Sequence, residues 1–324
     1  MKKCRIKLNS KETKSYFYGP VPSRRLGFSL GVDLLGPNQS RKTCNFDCVY
    51  CQLGKTFRKQ TERFFRIDFN KFKKELAEII KISPKIDYIS ISGSGEPTLH
   101  KDLDRIIMAI KKITKNRYPV CVITNSSLLS KKEVRRELKN ADLLIPSLDA
   151  VTPKSFYKIN RPYHNLSLEK IIEGLIRLRK EFKGKIWLEI MLVANMNDSL
   201  SEAQKFKEII GKIKPDKIQL NLPVRPSGSK IMLPPRKKIA VMTDIIGGNI
   251  EVVTHFRKKR QPYFLKNPEK QVLNFLKRRP ATFSDLEKAS GVPKGRLAKV
   301  LKGLLAEKEI SKNLHQGKEY FVIA

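Results

Sequence analysis

Residues 30 to about 254 alternate short β-branched runs with stretches in which apolar residues recur at spacings of three and four. One such stretch contains Phe72, Leu76, Ile79 and Ile80, which would share one face of a helix. The alternation is typical of βαβ units around a parallel sheet, whose right-handed crossovers curl the sheet. The candidate strands are 30–35, 86–92, 120–124, 142–148, 185–193 and 217–222, with a seventh, edge strand at 249–254.

Six βα units fall short of the eight that close a barrel, so we expect an α/β fold with an open, partial (βα)6 barrel. The barrel is expected over residues 1–255, of which residues 1–28 form an N-terminal extension. Helix starts agree with this register, because Ser130, Ser167 and Ser201 stand where an N-cap hydroxyl accepts hydrogen bonds from free backbone N–H groups.

The periodic pattern stops after residue 255. The run 256–268 gathers positive charge and two prolines, which predicts a linker. Residues 269–324 are then expected to form a second, small domain that resembles a winged helix-turn-helix. Its expected elements are a helix with Val272, Phe275 and Leu276, a short helix at 284–289, a turn at Gly291, a helix at 294–305 and a hairpin turning near Gln316 and Gly317.

Three of the five cysteines, Cys44, Cys48 and Cys51, form a C-x3-C-x2-C run just after the first candidate strand. This layout is a poor disulfide framework, so we expect free thiols in a reducing, cytoplasmic compartment. Thiolates are the ligands that iron–sulfur clusters prefer. Three of them hold three corners of a cubane and leave the fourth iron open to a small molecule.

Zinc is the competing metal for this run. Structural zinc takes four protein ligands, usually from C-x2-C pairs, and the sequence has no second pair. Cys4 or His100 would have to complete the site. The four histidines are scattered, and Cys121 lies inside an apolar strand, where a free cysteine behaves as a small hydrophobe.

The C-x3-C-x2-C spacing, with Tyr50 before the last cysteine, resembles the signature of radical S-adenosylmethionine (SAM) enzymes. The resemblance extends from residue 30 to about 226. It implies a partial barrel, a 4Fe-4S cluster on Cys44, Cys48 and Cys51, and SAM bound at the open iron. It also implies reductive cleavage of SAM to a 5′-deoxyadenosyl radical, with a reduced ferredoxin or flavodoxin-type protein as the electron donor.

The same resemblance suggests SAM contacts. The turn at 92–97 follows the second strand, where the family keeps a Gly-Gly-Glu-like motif for the methionyl amine. Ser94 and Gly95 fill the two positions before Glu96. Small residues let the backbone approach a ligand, and the Glu96 carboxylate is expected to hold an ammonium. Tyr50 matches the aromatic residue that contacts adenine in the family.

Polar residues also close several apolar strands. Asn125, Ser147 and Asp149 lie at such strand ends, on the rim where ligands of parallel sheets collect. Because polar groups at these positions need partners, we expect them to face SAM or substrate, with an ordinary cap or turn as the alternative. Arg161, after the fourth strand, is expected in a surface loop.

The charge balance is strongly basic, with 67 Lys and Arg against 31 Asp and Glu and a formal net charge of +36. This excess favours a polyanionic partner such as RNA, although a general Lys bias would give the same numbers. No apolar run approaches the roughly 18 residues of a membrane span, so no membrane partner is expected. The segment 21–56 resembles a wyosine-synthase-like branch of Fe–S oxidoreductases, which implies tRNA or another RNA as substrate.

Two features bear on that substrate. The archaeal wyosine enzyme that the segment resembles has extra N-terminal cysteines for a second cluster, whereas only Cys4 stands upstream here. In the candidate recognition helix, basic residues are expected to face outward, where they suit phosphates or bases. They are Arg296, Lys299 and Lys302, opposite a buried stripe of Leu297, Val300, Leu301 and Leu304.

Three alternatives to an RNA-modifying enzyme stay open. The chemistry also allows a protein or small-molecule substrate, although RNA is the favoured one. The C-terminal domain is also compatible with protein docking, since basic helices are often only solvated faces. The third alternative is a DNA-binding regulator whose cluster senses redox state or iron.

Overall fold

The computed structural model describes residues 15–35, 42–63, 67–82, 85–253 and 267–324. Ten strands lie in the described residues before 254. They are β1 (Phe17–Ser23), β2 (Gly27–Val32), β3 (Thr43–Cys44), β4 (Arg58–Lys59), β5 (Tyr88–Ile91), β6 (Val120–Thr124), β7 (Leu143–Pro146), β8 (Lys185–Met191), β9 (Lys217–Asn221) and β10 (Ile250–Val253).

Eight of these strands form one sheet in the order β1-β2-β5-β6-β7-β8-β9-β10. All neighbours from β2 to β10 run parallel, and β1 pairs antiparallel with β2. β1 and β10 lie at the two edges, so the curled sheet is an open half-barrel. The expected partial barrel is confirmed: the six expected strands are β2 and β5 to β9, and the expected edge strand is β10.

Strand β1 was not predicted from the sequence. Its seven residues, FYGPVPS, include Pro20 and Pro22. Proline has no N–H to donate to a neighbouring strand and is confined to sheet edges and bulges, so the sequence of this segment does not predict a strand. The structure places it on an edge, with an irregular register between Tyr18 and Val21.

Helices connect the parallel strands and cover one face of the sheet. They are α1 (Phe69–Ile82), α2 (Leu103–Thr114), α3 (Lys132–Glu137), α4 (Pro153–Ile159), α5 (Leu168–Glu181), α6 (Leu200–Ile213) and α7 (Arg236–Ile246), with a 3₁₀ helix at Pro97–Leu99. Their apolar stripes pack on the buried strand residues Ile89, Ile91, Val122 and Leu144. None of the helices in the described ranges is long and apolar enough to cross a membrane.

The structure confirms one of the three predicted helix caps. Ser167 is the N-cap of α5, and its side chain accepts from the backbone N–H of Lys170. For α6 the prediction was wrong by two residues, because Ser199 and not Ser201 accepts from the first turn. Ser130 does not cap α3, which begins after Lys131 without a side-chain cap.

The opposite face of the sheet carries a second apolar cluster. Leu26, in the turn between β1 and β2, packs there against Cys121, Leu143 and Ile145. Cys121 is fully buried, and burial raises the pKa of its thiol. This confirms the expectation that Cys121 behaves as a small hydrophobe. The β1–β2 turn therefore folds across the inner face of the half-barrel.

The C-terminal unit, residues 267–324, contains three helices and a hairpin. They are α8 (Pro268–Leu276), α9 (Phe283–Ser290) and α10 (Lys294–Ala306), followed by the antiparallel pair β11 (Ile310–His315) and β12 (Lys318–Ile323). This is the expected order of elements, with Gly291 as the left-handed cap of α9. Most of the expected linker lies outside the described residues, and the division into domains stays a prediction.

The C-terminal unit packs directly on the half-barrel. Val21 of β1 belongs to the same apolar cluster as Val272, Phe275, Leu297 and Leu301. One edge strand of the sheet thus contributes to two cores, and the C-terminal unit covers that edge.

Candidate active site

The three clustered cysteines lie at the carboxyl ends of the parallel strands, where Cys44 ends β3 and Cys48 and Cys51 follow in the segment before β4. Cys44 is buried, and Cys48 and Cys51 are half-buried. Backbone hydrogen bonds tie the segment to the sheet rim: Asp47 N–H donates to Asn160 O over 3.0 Å, and Val49 N–H donates to Ile159 O over 2.9 Å. The cysteine segment is therefore held in place by the end of α4.

Side-chain amides approach two of the thiols. Asn125 Nδ2 lies 3.5 Å from Cys44 Sγ, and Asn160 Nδ2 lies 3.5 Å from Cys48 Sγ. N–H donors at such positions stabilise the negative charge of a thiolate, as donors around metal-bound sulfur do. Asn45, which is fully buried, accepts from Asn125 Nδ2 at 2.7 Å and donates to Ser127 Oγ at 2.6 Å, and so fixes the Asn125 amide.

A lysine stands beside all three thiols. Lys42 is buried, and its Nζ donates to Gly54 O over 3.1 Å. Burial acts to lower the pKa of Lys42, but the neighbouring Cys51 and Cys44 raise it above its ordinary value. A charged ammonium at this position opposes the negative charge of thiolate ligands.

Burial makes two of the three thiols less acidic than an ordinary cysteine. Burial raises the pKa of Cys44 to about 12 and also raises the pKa of Cys48. A bound metal deprotonates a coordinating thiol, so these side chains become thiolates only when they bind one. Buried thiols with amide donors and one ammonium are therefore suited to metal–sulfur ligation.

The geometry does not suit a single zinc ion. Within the described ranges, no three His, Cys, Asp or Glu side chains form a set that could hold one metal ion. His100, the proposed fourth zinc ligand, is fully buried, and its Nδ1 accepts from Asp102 N–H at 3.1 Å. Cys4 lies outside the described residues. In a cubane each thiolate binds a different iron, so the three cysteines fit an iron–sulfur cluster better than zinc.

Glu96 is bound by the protein on both carboxylate oxygens. Oε1 accepts from Thr98 N–H at 3.0 Å, Thr98 Oγ1 at 2.7 Å and Thr124 Oγ1 at 2.6 Å, and Oε2 accepts from Asn125 N–H at 2.7 Å. A carboxylate has about four acceptor positions, so an ammonium would have to compete with these donors. The structure shows a positioning role for Glu96, which joins the turn to the end of β6, and its SAM contact stays a prediction.

Gly95 lets two backbone segments touch. A Cβ at this position would lie 1.7 Å from Thr43 O, and Glu96 N–H donates to the same oxygen over 3.3 Å. The residue after Thr43 is Cys44, so a side chain at position 95 would push the first cysteine away from the rim. The sequence predicted that a ligand would approach the backbone at Gly95, and in the structure the cysteine segment approaches it at Thr43.

Ser94 is held by Asp33, at the end of β2. Ser94 Oγ donates to Asp33 Oδ2 at 2.6 Å, and Ser94 N–H donates to Oδ1 at 3.1 Å. Asp33 is fully buried and was not singled out from the sequence. The sequence did contain a signal for Asp33: it is an acidic residue directly after an apolar strand, and a buried carboxylate needs hydrogen-bond donors.

The structure brings Asn125, Ser147 and Asp149 together. With Phe46 and Asn160, they line one small cavity of about 10 Å³, which has room for a single water molecule. The three residues therefore share one part of the rim, as their strand-end positions predicted. Their contacts with SAM or substrate stay predictions.

Asp149 links the cysteine segment to β8 and to the end of α4. Its carboxylate accepts from Tyr50 Oη, from Asn160 Nδ2 at 2.8 Å and from Met191 N–H at 2.9 Å. Burial raises the pKa of Asp149 to about 6. Tyr50 is thus anchored through its hydroxyl, while its predicted contact with adenine is not tested. Asn160 was missed by sequence reasoning because only its neighbour Arg161 was considered, and Arg161 is indeed exposed.

Comparison with known proteins decides the family. Residues 40–206, just over half of the chain, match the profile of the radical SAM superfamily. The chain belongs to the radical SAM superfamily. Members of this superfamily use a 4Fe-4S cluster and SAM, so these are the cofactors of this radical SAM enzyme. Cys44, Cys48 and Cys51 are the residues that would hold the cluster.

Two sequence relatives and one solved structure are similar to different shares of this chain. A UPF0026 protein of Methanocaldococcus jannaschii is 36% identical over 264 residues, covering 79% of this chain and 80% of that protein. A Brachyspira hyodysenteriae protein named GTPase Obg is 37% identical over 319 residues, 96% of this chain but 46% of that protein, so the chain spans about half its length. A crystal structure of a radical SAM methyltransferase from Sphaerobacter thermophilus has 16% identity and a TM-score of 0.49, covering 69% of this chain and 66% of that one.

Proposed function

We propose that this radical SAM enzyme modifies RNA, with tRNA as the first candidate substrate. When bound, the cluster would supply one electron to cleave SAM and yield a 5′-deoxyadenosyl radical. The observation that carries the RNA proposal is an exposed basic helix on a unit that is itself bonded to the rim of the active site. A reduced ferredoxin or flavodoxin-type donor and a cytoplasmic location belong to the same proposal.

The residues around the cofactors have separable roles in this proposal. Cys44, Cys48 and Cys51 hold the cluster. Asn125 and Asn160 donate to the sulfur atoms, and the neighbouring Lys42 offsets their negative charge. The Ser94 turn and the Asp149 network keep the surrounding backbone in place, so that SAM meets a preorganised rim.

The C-terminal unit supports RNA binding by its arrangement of charge. We infer that its three helices and hairpin form a winged helix, with α10 as the recognition helix. Leu297, Leu301 and Leu304 of α10 are buried and Val300 is half-buried. The outward face carries Arg296, Lys299 and Lys302, all exposed. Such a face supplies phosphate contacts.

From the resemblance to wyosine-synthase-like proteins, the proposal takes only the substrate class, RNA. The sequence upstream of the cluster offers a single cysteine, Cys4, which is too few for a second cluster of three thiolates. The proposed reaction needs only the cluster on Cys44, Cys48 and Cys51. Recognition of tRNA would depend on the basic C-terminal unit and not on a second metal centre.

The enzyme proposal is tested by anaerobic reconstitution with iron and sulfide, followed by addition of dithionite and SAM. Release of 5′-deoxyadenosine is the expected result. Intact SAM together with sequence-specific DNA binding would instead support a redox-sensing regulator, which nothing in the site geometry favours at present.

The RNA proposal is tested separately by binding of bulk tRNA at several salt concentrations. The logarithm of the binding constant falls linearly with the logarithm of the salt concentration, and each lost phosphate contact makes this slope less steep by about 0.7 to 0.9. We expect the triple variant R296Q/K299Q/K302Q to bind more weakly and with a slope reduced by up to about 3. The matched control K205Q/K207Q/K212Q removes the same charge from the exposed side of α6 and should bind as the wild type does. Equal effects in both variants would contradict a specific role for α10.

A further inference from the structure

Three arginines surround one aspartate where the C-terminal unit meets the half-barrel. Arg24 comes from the β1–β2 turn, Arg225 from the loop after β9, and Arg279 from the segment after α8. The aspartate is Asp285 of α9, whose Oδ2 lies 3.6 Å from Arg225 Nη2. Four segments that are distant in sequence thus place their charged groups at one junction.

Each arginine is held in place but only partly bonded. Arg24 Nη1 donates to Val253 O at 3.4 Å, and Arg279 Nη2 donates to Pro22 O at 3.3 Å. The Arg279 guanidinium also stacks 4.4 Å from the centre of the Phe275 ring. Its Nε is buried and has no hydrogen-bond partner in the described part of the chain. A guanidinium has five N–H donors, so several remain to bind another group.

The charges at this junction do not cancel. Three guanidinium groups against the Asp285 carboxylate leave an excess of two positive charges. The adjacent Arg25 and Arg278 add no surplus, because they pair with Glu189 and Asp33. The segments outside the described ranges contain one carboxylate side chain, Glu12, and many more basic residues. The chain therefore offers little to neutralise the excess.

This unbalanced charge costs free energy in the ligand-free protein. Burial and the neighbouring Arg225 lower the pKa of Arg24 to about 10 and the pKa of Arg279 to about 9. Buried charges are normally paired, since desolvation without a partner is expensive. An anion at the junction would remove this cost.

The junction is connected to the cofactor site. The loop that carries Arg225 continues to Gly228, whose N–H donates to Cys51 O over 3.2 Å. The C-terminal unit holds the same loop, because Tyr320 Oη donates to Val224 O at 2.8 Å. The loop that carries Arg225 therefore links the arginine junction to the cysteine segment.

We propose that Arg24, Arg225 and Arg279 form a binding site for a phosphate monoester of the substrate. Guanidinium groups bind phosphate oxygens in bidentate fashion, and three of them suit the three terminal oxygens of a monoester. Its charge of about −1.5 to −2 at neutral pH matches the excess at the junction. The phosphate would come from a small phosphorylated molecule or from the phosphorylated end of an RNA, and the site is independent of which one it is.

The test measures phosphate binding to the reconstituted full chain by titration calorimetry at pH 8, with inorganic phosphate and ribose 5-phosphate as probes. The wild type should bind both saturably. Arg24→Gln and Arg279→Gln should each weaken binding about 10-fold or more, the effect of losing a charge-assisted hydrogen bond. Asp285→Asn keeps an acceptor for the α9 cap and should tighten binding several-fold, because it removes the opposing negative charge.

The matched control is Arg236→Gln, at an exposed position on α7, which should bind phosphate as the wild type does. Absence of saturable binding to the wild type would overturn the proposal. So would equal affinities for Arg24→Gln, Asp285→Asn and the control. If Arg279→Gln fails to fold, the opposite shifts expected for Arg24→Gln and Asp285→Asn still decide the question.

A second arm identifies the source of the phosphate and separates this site from the proposed RNA function. Two RNA oligonucleotides that differ only in a 5′-phosphate are compared. Tighter binding of the phosphorylated one, lost in Arg24→Gln, supports an RNA end as the source. Binding of ribose 5-phosphate with no preference between the RNAs supports the site with a small molecule as the source of the phosphate, while the RNA function is decided separately by the salt dependence of tRNA binding.

Discussion

Arg278, just after α8, forms a buried ion pair with Asp33 at the end of β2, with 3.1 Å between Nε and Oδ2. The side chains are 7% and 1% exposed. Because Asp33 also binds Ser94 through both oxygens, the C-terminal unit is bonded through one carboxylate to the turn that precedes Glu96. The cofactor rim and the C-terminal unit are therefore mechanically connected.

Arg278→Gln should reveal this connection. Removing one partner of a buried pair leaves an uncompensated charge, so the free energy of unfolding should fall by about 3 kcal/mol or more. The affinity for SAM should fall as well, because Asp33 loses its ion pair and then holds the Ser94 turn less firmly. Chemical denaturation and SAM titration measure the two effects. The control Arg177→Gln breaks an exposed pair with Glu173 and should cost less than about 0.5 kcal/mol. Unchanged stability and SAM affinity in Arg278→Gln would contradict the connection.

Gly95→Ala should reduce cluster binding. The added Cβ would collide with Thr43 O, next to Cys44, and the cysteine segment would have to move. Iron content per chain after reconstitution should fall well below that of the wild type. Gly211→Ala is the matched control, since its Cβ would meet no atom within 4 Å on helix α6. That change should stabilise the helix by about 0.5 to 1 kcal/mol and leave the iron content intact. Full iron loading of Gly95→Ala would show that the close approach is dispensable.

Cys48→Ala should abolish the visible absorption of the reconstituted cluster. Cys121→Ala should keep it, because Cys121 is buried in an apolar cluster away from the three ligands. Absorption spectra with iron and sulfide analysis make the comparison. Loss of the chromophore in Cys121→Ala would overturn the ligand assignment.

Lys42→Met should lower the reduction potential of the cluster. A cation beside the thiolates stabilises the more negative, reduced state, so its removal disfavours reduction. The expected change is on the order of 50 mV, which corresponds to about 1 kcal/mol for one electron. A redox titration followed by electron paramagnetic resonance gives the midpoint. Lys42→Arg should stay near the wild-type value, as should Lys55→Met, at an exposed position in the same segment. A potential that stays constant or rises in Lys42→Met would exclude this role.

His100 should make the protein sensitive to acid. Burial lowers the pKa of His100 to about 4, from an ordinary value near 6.5, so the folded protein holds it neutral. Between these values the unfolded chain binds more protons, and stability is lost as the pH falls from 6.5 towards 4. The loss should reach about 3 kcal/mol at the acid end of the range.

The His100→Asn variant tests this sign. Asparagine keeps an acceptor for Asp102 N–H but does not titrate, so the free energy of unfolding should depend less on pH between 6.5 and 4. The control His164→Asn, at an exposed position, should follow the wild-type pH profile. Parallel profiles for wild type and His100→Asn would exclude His100 as the titrating group.

The repeating βα pattern was sufficient to predict the half-barrel, and the local cysteine spacing was sufficient to predict the superfamily and its cofactors. The assignment of the three cysteines as cluster ligands stays a prediction. Periodicity is a local signal, and all six expected strands were found within a few residues. The rim positions Asn125, Ser147 and Asp149 followed from the same strand ends. These features needed no knowledge of which distant residues meet.

Long-range pairing could not be predicted in this way. Arg278 and Asp33 are 245 residues apart, and no local pattern joins them. The filled hydrogen-bond capacity of Glu96 depends on Thr124 and Asn125, which approach only once β5 and β6 are paired. The arginine junction draws on four separate segments. In the sequence, no local pattern distinguishes these arginines from the many other basic residues.

Strand β1 contributes Phe17 to the core of the half-barrel and Val21 to the core of the C-terminal unit, and this has a consequence for the order of synthesis. β1 emerges from the ribosome early, whereas the residues that cover its outer side, from 267 onward, emerge only after all the sheet strands. During that interval the nascent chain presents an apolar sheet edge, the kind of surface that favours aggregation and chaperone binding. Translation speed between β10 and α8 is thus expected to influence the yield of native protein.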